Sequence, residues 1–180
     1  MVSEKGMEMG NHVKVEEWFL QYGDDVYNFL VYYTRSYDVE DIVQEVFLKA
    51  LKSAEYFEER SNPKTWLLSI ARRLVIDRYR KEKRYKLLTF ELIRKNVGSR
   101  TAEDLVINDE TLREIFNYIN EMNNAYRNVI VCRLILEYSV QETSEILGWS
   151  KSKVSLTYHR ALTSLKQMMV KDRDGGMVNG

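Results

Sequence analysis

NPKTWLLSIARRLVIDRYRKEKRYK, residues 62–86, is the stretch on which the reading of the chain turns. Asn62 can cap the first free backbone N–H groups of a helix, and Pro63 is pre-shaped for its first turn. Leu67, Ile70, Ala71, Leu74 and Arg78 then recur at helical spacing, a stripe expected to face a core. About half a revolution away, at roughly 100° per residue, Ser69, Arg72, Arg73, Ile76 and Arg80 share a second side. Positions 60, 64, 72, 73, 78, 80, 81, 83, 84 and 86 are ten Lys or Arg, against two acids, Asp77 and Glu82. A merely solvated charged face would carry acidic partners in comparable number, and two acids cannot pair ten bases. Charge of one sign on one face repels itself unless something negative binds it, so nucleic acid is the expected partner.

The 180 residues suit one compact domain or two small ones, and a hydrophobic share of 44% supports a folded core. One Pro and eight Gly argue for long uninterrupted helices, hence an all-α fold. The net charge of zero conceals an uneven distribution: residues 1–59 carry thirteen acids against five bases, and residues 60–86 the reverse excess. Opposite signs in neighbouring stretches point to two different partners or to a contact between the stretches. Cys132 is the single cysteine, within the apolar run Val129 to Leu134; it reads as a core residue and allows no internal disulfide. No apolar run approaches the roughly 18 residues of a membrane span, and no signal-peptide core is seen near the start. The expectation is a soluble, cytoplasmic protein.

Residues 1–11 are polar and expected to be frayed. Val13 to Tyr33 reads as a first helix, with Trp18, Phe19, Tyr22, Val26, Phe29, Leu30 and Tyr33 on its core stripe. A second helix is expected over Asp38 to Lys52, capped by Asp38 and with Glu40 and Asp41 suited to its positive end. Val39, Ile42, Val43, Val46, Phe47 and Ala50 form its buried face. Opposite lie Asp41, Gln44, Glu45, Leu48 and Lys52. Leu48 among acids resembles a small protein-docking face; plain solvated surface competes with that reading. A divalent-metal site on Asp41 and Glu45 is a third reading, short of further ligands.

After Lys86 the pattern breaks, and residues 87–106, with a turn at Asn96 to Ser99, read as a linker. Helical spacing resumes from Leu105 to Met122 and again from Tyr126 to Glu137. Ser139 and Glu142 then have the spacing of a capping box, Gly148 can end that helix, and Ser150 can cap a last one from Lys151 to Val170. Small Ser144, Gly148 and apolar Val154 suit the steep crossing of a helix-turn-helix. The last helix is expected to bury Val154, Tyr158, Ala161, Leu165 and Met168. It should expose Ser152, Ser155, Leu156 and His159, with Lys151, Lys153 and Arg160 nearby, and to enter a major groove by its leading end. Residues 172–180 are expected to be a disordered tail.

These residues resemble a known family. Asp41-Ile42-Val43-Gln44-Glu45-Val46-Phe47, followed by Thr65 to Arg73 with Ile76, Asp77 and Arg80, is similar to region two of bacterial sigma factors of the extracytoplasmic-function (ECF) group. Tyr126-Arg127 through Leu165 is similar to region four, with Glu142, Ile146-Leu147-Gly148, Val154 and His159-Arg160-Ala161 in register. The resemblance implies two small helical domains, a region-two bundle over residues 11–86 and a region-four helix-turn-helix over 107–171. It implies a dissociable specificity subunit of RNA polymerase with no catalytic residues, cofactor or metal. Asp41, Gln44, Glu45 and Leu48 would dock on core RNA polymerase. Phe57, Arg60, Ser61 and Asn62 would belong to the loop that captures a flipped base. Ser69, Arg72, Arg73, Ile76, Asp77 and Arg80 would face the minus-ten element of promoter DNA. Lys151, Lys153, Ser155, Leu156, His159 and Arg160 would read the minus-thirty-five element. An anti-sigma factor, often membrane-bound in this group, would hold the protein inactive. The chain departs from the family pattern at Met122-Asn123-Asn124, where a Leu-Pro-Pro-like run is usual, and at Ser155 to Thr157, where basic residues are common. That implies a promoter preference of its own.

Two other readings stand beside this one. A free-standing helix-turn-helix repressor would bind duplex DNA without polymerase and would need a dimer interface. A metal-dependent nuclease would use Asp38, Glu40, Asp41 and Glu45, but the chain has only two His and no Gly-rich phosphate loop.

Overall fold

The computed structural model describes the backbone of residues 4–57, 62–88 and 110–176. The described residues form helices and turns with no β-strand. Two compact units divide the chain, Met1–Ala102 and Glu103–Gly180.

The first unit holds α1 (Glu4–Thr34), α2 (Glu40–Ser53), one tight turn at Ala54–Tyr56, and α3 (Pro63–Leu88). The three helices pack pairwise. Helix α1 begins at Glu4, well before the expected Val13. The stretch ahead of Val13 has no proline, and each residue added to a nucleated helix gains a backbone hydrogen bond. Val26, Phe29 and Leu30 of α1, Val46 and Ala50 of α2, and Leu67, Leu68 and Ala71 of α3 are 0% exposed and form the core. The stripes expected from spacing are thus the buried ones, with five exceptions, of which Tyr22 and Tyr33 are half-buried. Phe19 is 49% exposed, Val43 is only half-buried, and Arg78 turns out to solvent.

The cap of α2 is also not the expected one. Val39, not Asp38, occupies the capping position, with no side-chain cap bond. Val39 is 1% exposed, so the chain enters the helix through an anchored apolar residue. The Val39 N–H donates to Tyr37 O at 2.9 Å and to Glu40 Oε2 at 3.1 Å. Helix α3 starts as its sequence suggests: Asn62 Oδ1 accepts the Lys64 N–H at 2.9 Å.

The second unit holds α4 (Glu110–Glu121), α5 (Asn124–Ile130), α6 (Val140–Leu147) and α7 (Lys151–Gly176). Asn123 caps α5 by accepting the N–H groups of Ala125 and Tyr126. The expected helix to Glu137 instead widens into a π turn over Val131–Ile135 and closes with Leu136 N–H on Val131 O at 2.9 Å. Ser139 and Glu142 form the full capping box at the head of α6, and Gly148 ends it at φ +63°. Ser150 Oγ accepts the Lys153 N–H at 3.2 Å and caps α7. The core joins Ile119, Met122, Val129, Ile130, Val154, Ala161 and Leu165, with Cys132 fully buried. Tyr158 and Met168 pack against it half-buried. Helix α7 runs on to Gly176, so the start of the expected tail is helical. Residues 89–106 of the expected linker, and 177–180 of the tail, lie outside the described residues.

Candidate nucleic-acid and protein interfaces

The outer face of α2 carries the expected docking group. Asp41, Gln44 and Leu48 are exposed, Leu48 by 58%, and Glu45 is half-exposed. Glu45 is also tied to α3, because Arg78 Nε and Nη2 donate to its Oε2 at 3.2 and 2.7 Å. Sequence spacing had put Arg78 on the core stripe. A long side chain at the edge of such a stripe can carry its head out to water, and here it meets a carboxylate. Phe19 of α1 stands edge-on to Phe47 of α2, centroids 4.9 Å apart, and leaves apolar surface open on that side. Among the described residues no group of three His, Cys, Asp or Glu could hold a metal ion, so the metal reading of Asp41 and Glu45 finds no third ligand.

On α3 the expected DNA-facing residues fall into two sets. Arg73, Asp77 and Arg80 are exposed. Ser69, Arg72 and Ile76 are half-buried. Ser69 Oγ donates to Trp66 O at 2.7 Å, while Arg72 Nε is enclosed with no hydrogen-bond partner among the described residues. The cationic surface reaches further round than the spacing indicated. A cleft of about 590 Å³ between α2 and α3 is lined by Lys49, Arg78, Arg80, Lys81, Lys83 and Arg84, with Glu45 and Asp77 as its acids and Leu74 at its base. Counting charges along α3 without its neighbour α2 misses this cleft and the part Lys49 plays in it.

Phe57, expected in a base-capturing loop, is half-buried in an aromatic cluster. Its ring lies 4.9 Å from Trp18 and 5.1 Å from Trp66, in edge and tilted geometries that such rings favour. The Lys14 ammonium sits 5.5 Å from the Trp18 ring and 5.4 Å from Phe57. Phe57 therefore anchors one end of the loop on α1 and α3. Asn62 anchors the other end, with its amide oxygen already engaged in capping. Arg60 and Ser61 lie outside the described residues.

In the second unit, Lys151, Lys153, Ser155, Leu156, His159 and Arg160 are all exposed along the leading half of α7. The tight turn before it is held by Ser144, whose Oγ donates to Trp149 O at 2.7 Å while its carbonyl accepts the Trp149 N–H at 3.0 Å. Lys153 lies over the Trp149 ring, 4.4 Å from its centroid, which holds that ammonium back toward the turn. Farther along, the Tyr118 hydroxyl donates to Asp172 Oδ2 at 2.6 Å and joins α4 to α7. That bond, then loss of hydration and the charges of Asp172, Glu114 and Glu121, push the phenol up to about 12.

A helical unit pairing an acidic outer face with a cationic helix, and a second unit built as a helix-turn-helix, define a two-part DNA-reading protein with a protein-docking side. The comparisons with known proteins agree. Residues 18–85 match the family described as Sigma-70 region 2, and residues 112–165 match Sigma-70, region 4. The ECF RNA polymerase sigma factor SigX of Bacillus subtilis (strain 168) is 40% identical over 154 residues, covering 82% of this chain and 79% of its own length. The RNA polymerase sigma factor YlaC of the same organism is 33% identical over 177 residues, covering 92% and 98%. A solved structure of the sigma factor RpoE with the anti-sigma factor NepR, from Bartonella quintana, superposes with TM-score 0.66 at 21% identity, over 86% of this chain and 95% of that one. CnrH in complex with the cytosolic domain of CnrY gives 0.63 at 20%, over 92% and 93%. The chain belongs to the ECF group of RNA polymerase sigma factors. Its function is to direct promoter recognition and transcription initiation by RNA polymerase.

Proposed function

We propose that the two units divide that function by residue as follows. Residues 11–86 dock on core RNA polymerase through Asp41, Gln44, Glu45 and Leu48. They engage the minus-ten element through Ser69, Arg72, Arg73, Ile76, Asp77 and Arg80, with the loop from Phe57 through Arg60 and Ser61 to Asn62 receiving an unstacked base. Residues 107–171 read the minus-thirty-five element through Lys151, Lys153, Ser155, Leu156, His159 and Arg160, and residues 87–106 link the two. The chain works in the cytoplasm, has no catalytic activity of its own and needs no cofactor. An anti-sigma protein, soluble or membrane-bound, holds it inactive; complexes of this kind are known for RpoE with NepR and CnrH with CnrY.

The observation that carries the division is the join of Glu45 to Arg78, which sets the acidic face of α2 beside the cationic face of α3. Phosphate contacts from α3 give affinity and a steep salt dependence. Each wrong base in the upstream element costs about 1–3 kcal/mol. Unstacking one base costs a few kcal/mol, which a pocket beside Phe57 offsets in part. Each unit alone binds DNA weakly, and polymerase raises the effective concentration of the second once the first is engaged. Co-purification with core polymerase, followed by run-off transcription from a promoter library, tests the reading. A chain that neither binds core nor redirects start sites overturns it.

A further inference from the structure

We infer that Leu156 is a specificity-determining residue that reads the 5-methyl group of a thymine in the upstream promoter element. The inference rests on α7 entering the major groove there.

At about 100° per residue, Ser152, Ser155, Leu156 and His159 fall within an arc of about 100° on α7, and all four are exposed. Val154, Ala161 and Leu165, at 0–6% exposure, lie on the opposite side of the helix. Leu156 thus points directly away from the core, at 53% exposure. A single exposed Leu elsewhere on a surface means little. On the groove-facing arc it has a consequence, because that arc is otherwise two hydroxyls and an imidazole.

Sequence reading in the major groove depends on which side chains face the bases. Bidentate recognition of guanine needs Arg or Lys, and bidentate recognition of adenine needs Asn or Gln. None of these stands at 152, 155, 156 or 159; exposed Arg160, about 40° round the helix from Leu156, is the guanine reader at the edge of the arc. Lys153 is drawn over Trp149. The Ser hydroxyls can donate or accept and so discriminate little. Leu156 has the strict requirement. The one apolar group that unmodified DNA shows in the major groove is the thymine methyl. Against guanine, the same isobutyl group would cover two acceptors and leave them without donors. Leu156 therefore both favours thymine and rejects guanine at the base pair it meets.

The test replaces the methyl and nothing else. Holoenzyme first selects its preferred upstream element from a randomised promoter pool. Each thymine of that element is then changed singly to uracil, which keeps every hydrogen-bonding group. At one position the exchange should lower run-off transcription roughly three- to fivefold, the worth of one methyl leaving water. Leu156→Ala holoenzyme should transcribe the two templates equally. Uracil as good as thymine at every position, or a selected element without thymine, overturns the inference. A uracil effect that persists in Leu156→Ala also overturns it. If scrambling the whole upstream element still abolishes transcription in those cases, the placement of α7 stands and only the role of Leu156 falls. If scrambling has no effect, the placement itself falls and the inference falls with it.

Discussion

Glu45 on α2 and Arg78 on α3 are joined through a single carboxylate oxygen: both guanidinium N–H groups reach Oε2, at 3.2 and 2.7 Å. The side chains are 38% and 44% exposed, so water screens the pair. An exposed pair of this kind contributes about 0.2–1 kcal/mol. A double-mutant cycle of Glu45→Ala and Arg78→Ala, read by urea unfolding of the full chain, should give a coupling in that range. The coupling should shrink as salt is raised toward molar concentration. A coupling that does not respond to salt would mean the contact is packing and not charge.

The other oxygen of Glu45 takes no part in those two bonds, and Asp41 stands one helical turn before it on the same exposed face. Asp41→Ala with Glu45→Ala should weaken binding to core polymerase by about tenfold or more, since charged groups truncated at a desolvated contact cost about 2–5 kcal/mol. Fluorescence anisotropy of labelled chain titrated with core polymerase measures this. A double variant that binds core as tightly as the parent would move the docking face elsewhere.

Arg73 and Arg72 are neighbours with different surroundings: Arg73 is exposed, while Arg72 is half-buried with its Nε enclosed. Arg73→Ala should impair open-complex formation, lower the salt slope of promoter binding by about one and leave core binding unchanged. Arg72→Ala should also lower the thermal midpoint of the chain, because its stem fills space beside the core. Filter binding across a salt series, together with permanganate footprinting, separates the two residues.

How much of this was legible in the sequence follows from the range of each interaction. The capping box of Ser139 and Glu142, the left-handed turn at Gly148 and the cap at Asn62 are local, and the residues involved lie within three or four positions. The buried stripes of α3 and α7 were legible because 3.6-residue spacing records which side meets a core. The Arg78 partner was not, because Glu45 is 33 residues away and the spacing alone put Arg78 with the apolar positions. The aromatic cluster of Trp18, Phe57 and Trp66 joins three separate stretches and has no signal within any one of them. The π turn at Val131–Ile135 is a register change of one residue inside an apolar run, and composition does not mark it. At the head of α2, burial of Val39 prevails over the capping preference of Asp38, and no local signal marks that outcome.

The turn into α7 offers a stability test free of packing. Gly148 sits at φ +63°, and a Cβ there would meet nothing within 4 Å. Gly148→Ala should therefore destabilise the chain by about 1–2 kcal/mol through backbone strain alone, and Gly148→Asn by less, since Asn tolerates that conformation. Ser139→Ala should remove half the capping box at a cost of about 0.5–2 kcal/mol. Thermal unfolding followed by circular dichroism measures all three. Equal losses for Ala and Asn at position 148 would show that the strain is not the cause.

The bond from Tyr118 to Asp172 makes a pH-dependent clasp between α4 and α7. The phenol is pushed up from 10.0 to about 12, first because its proton is held by Asp172 Oδ2. A raised value means that the folded state favours the neutral phenol. Its contribution is therefore complete below pH 10, the value of the unfolded chain, and is lost as pH rises through about 12. A single variant at this hydroxyl isolates its contribution from the rest of the chain. The difference in unfolding midpoint between wild type and Tyr118→Phe should favour the wild type near neutral pH and close between pH 10 and 12, while Asp172→Asn should bring the phenol back toward its ordinary value of 10.0. A difference that stays constant across that window would leave the hydroxyl as a packing group, with no proton held between the two helices.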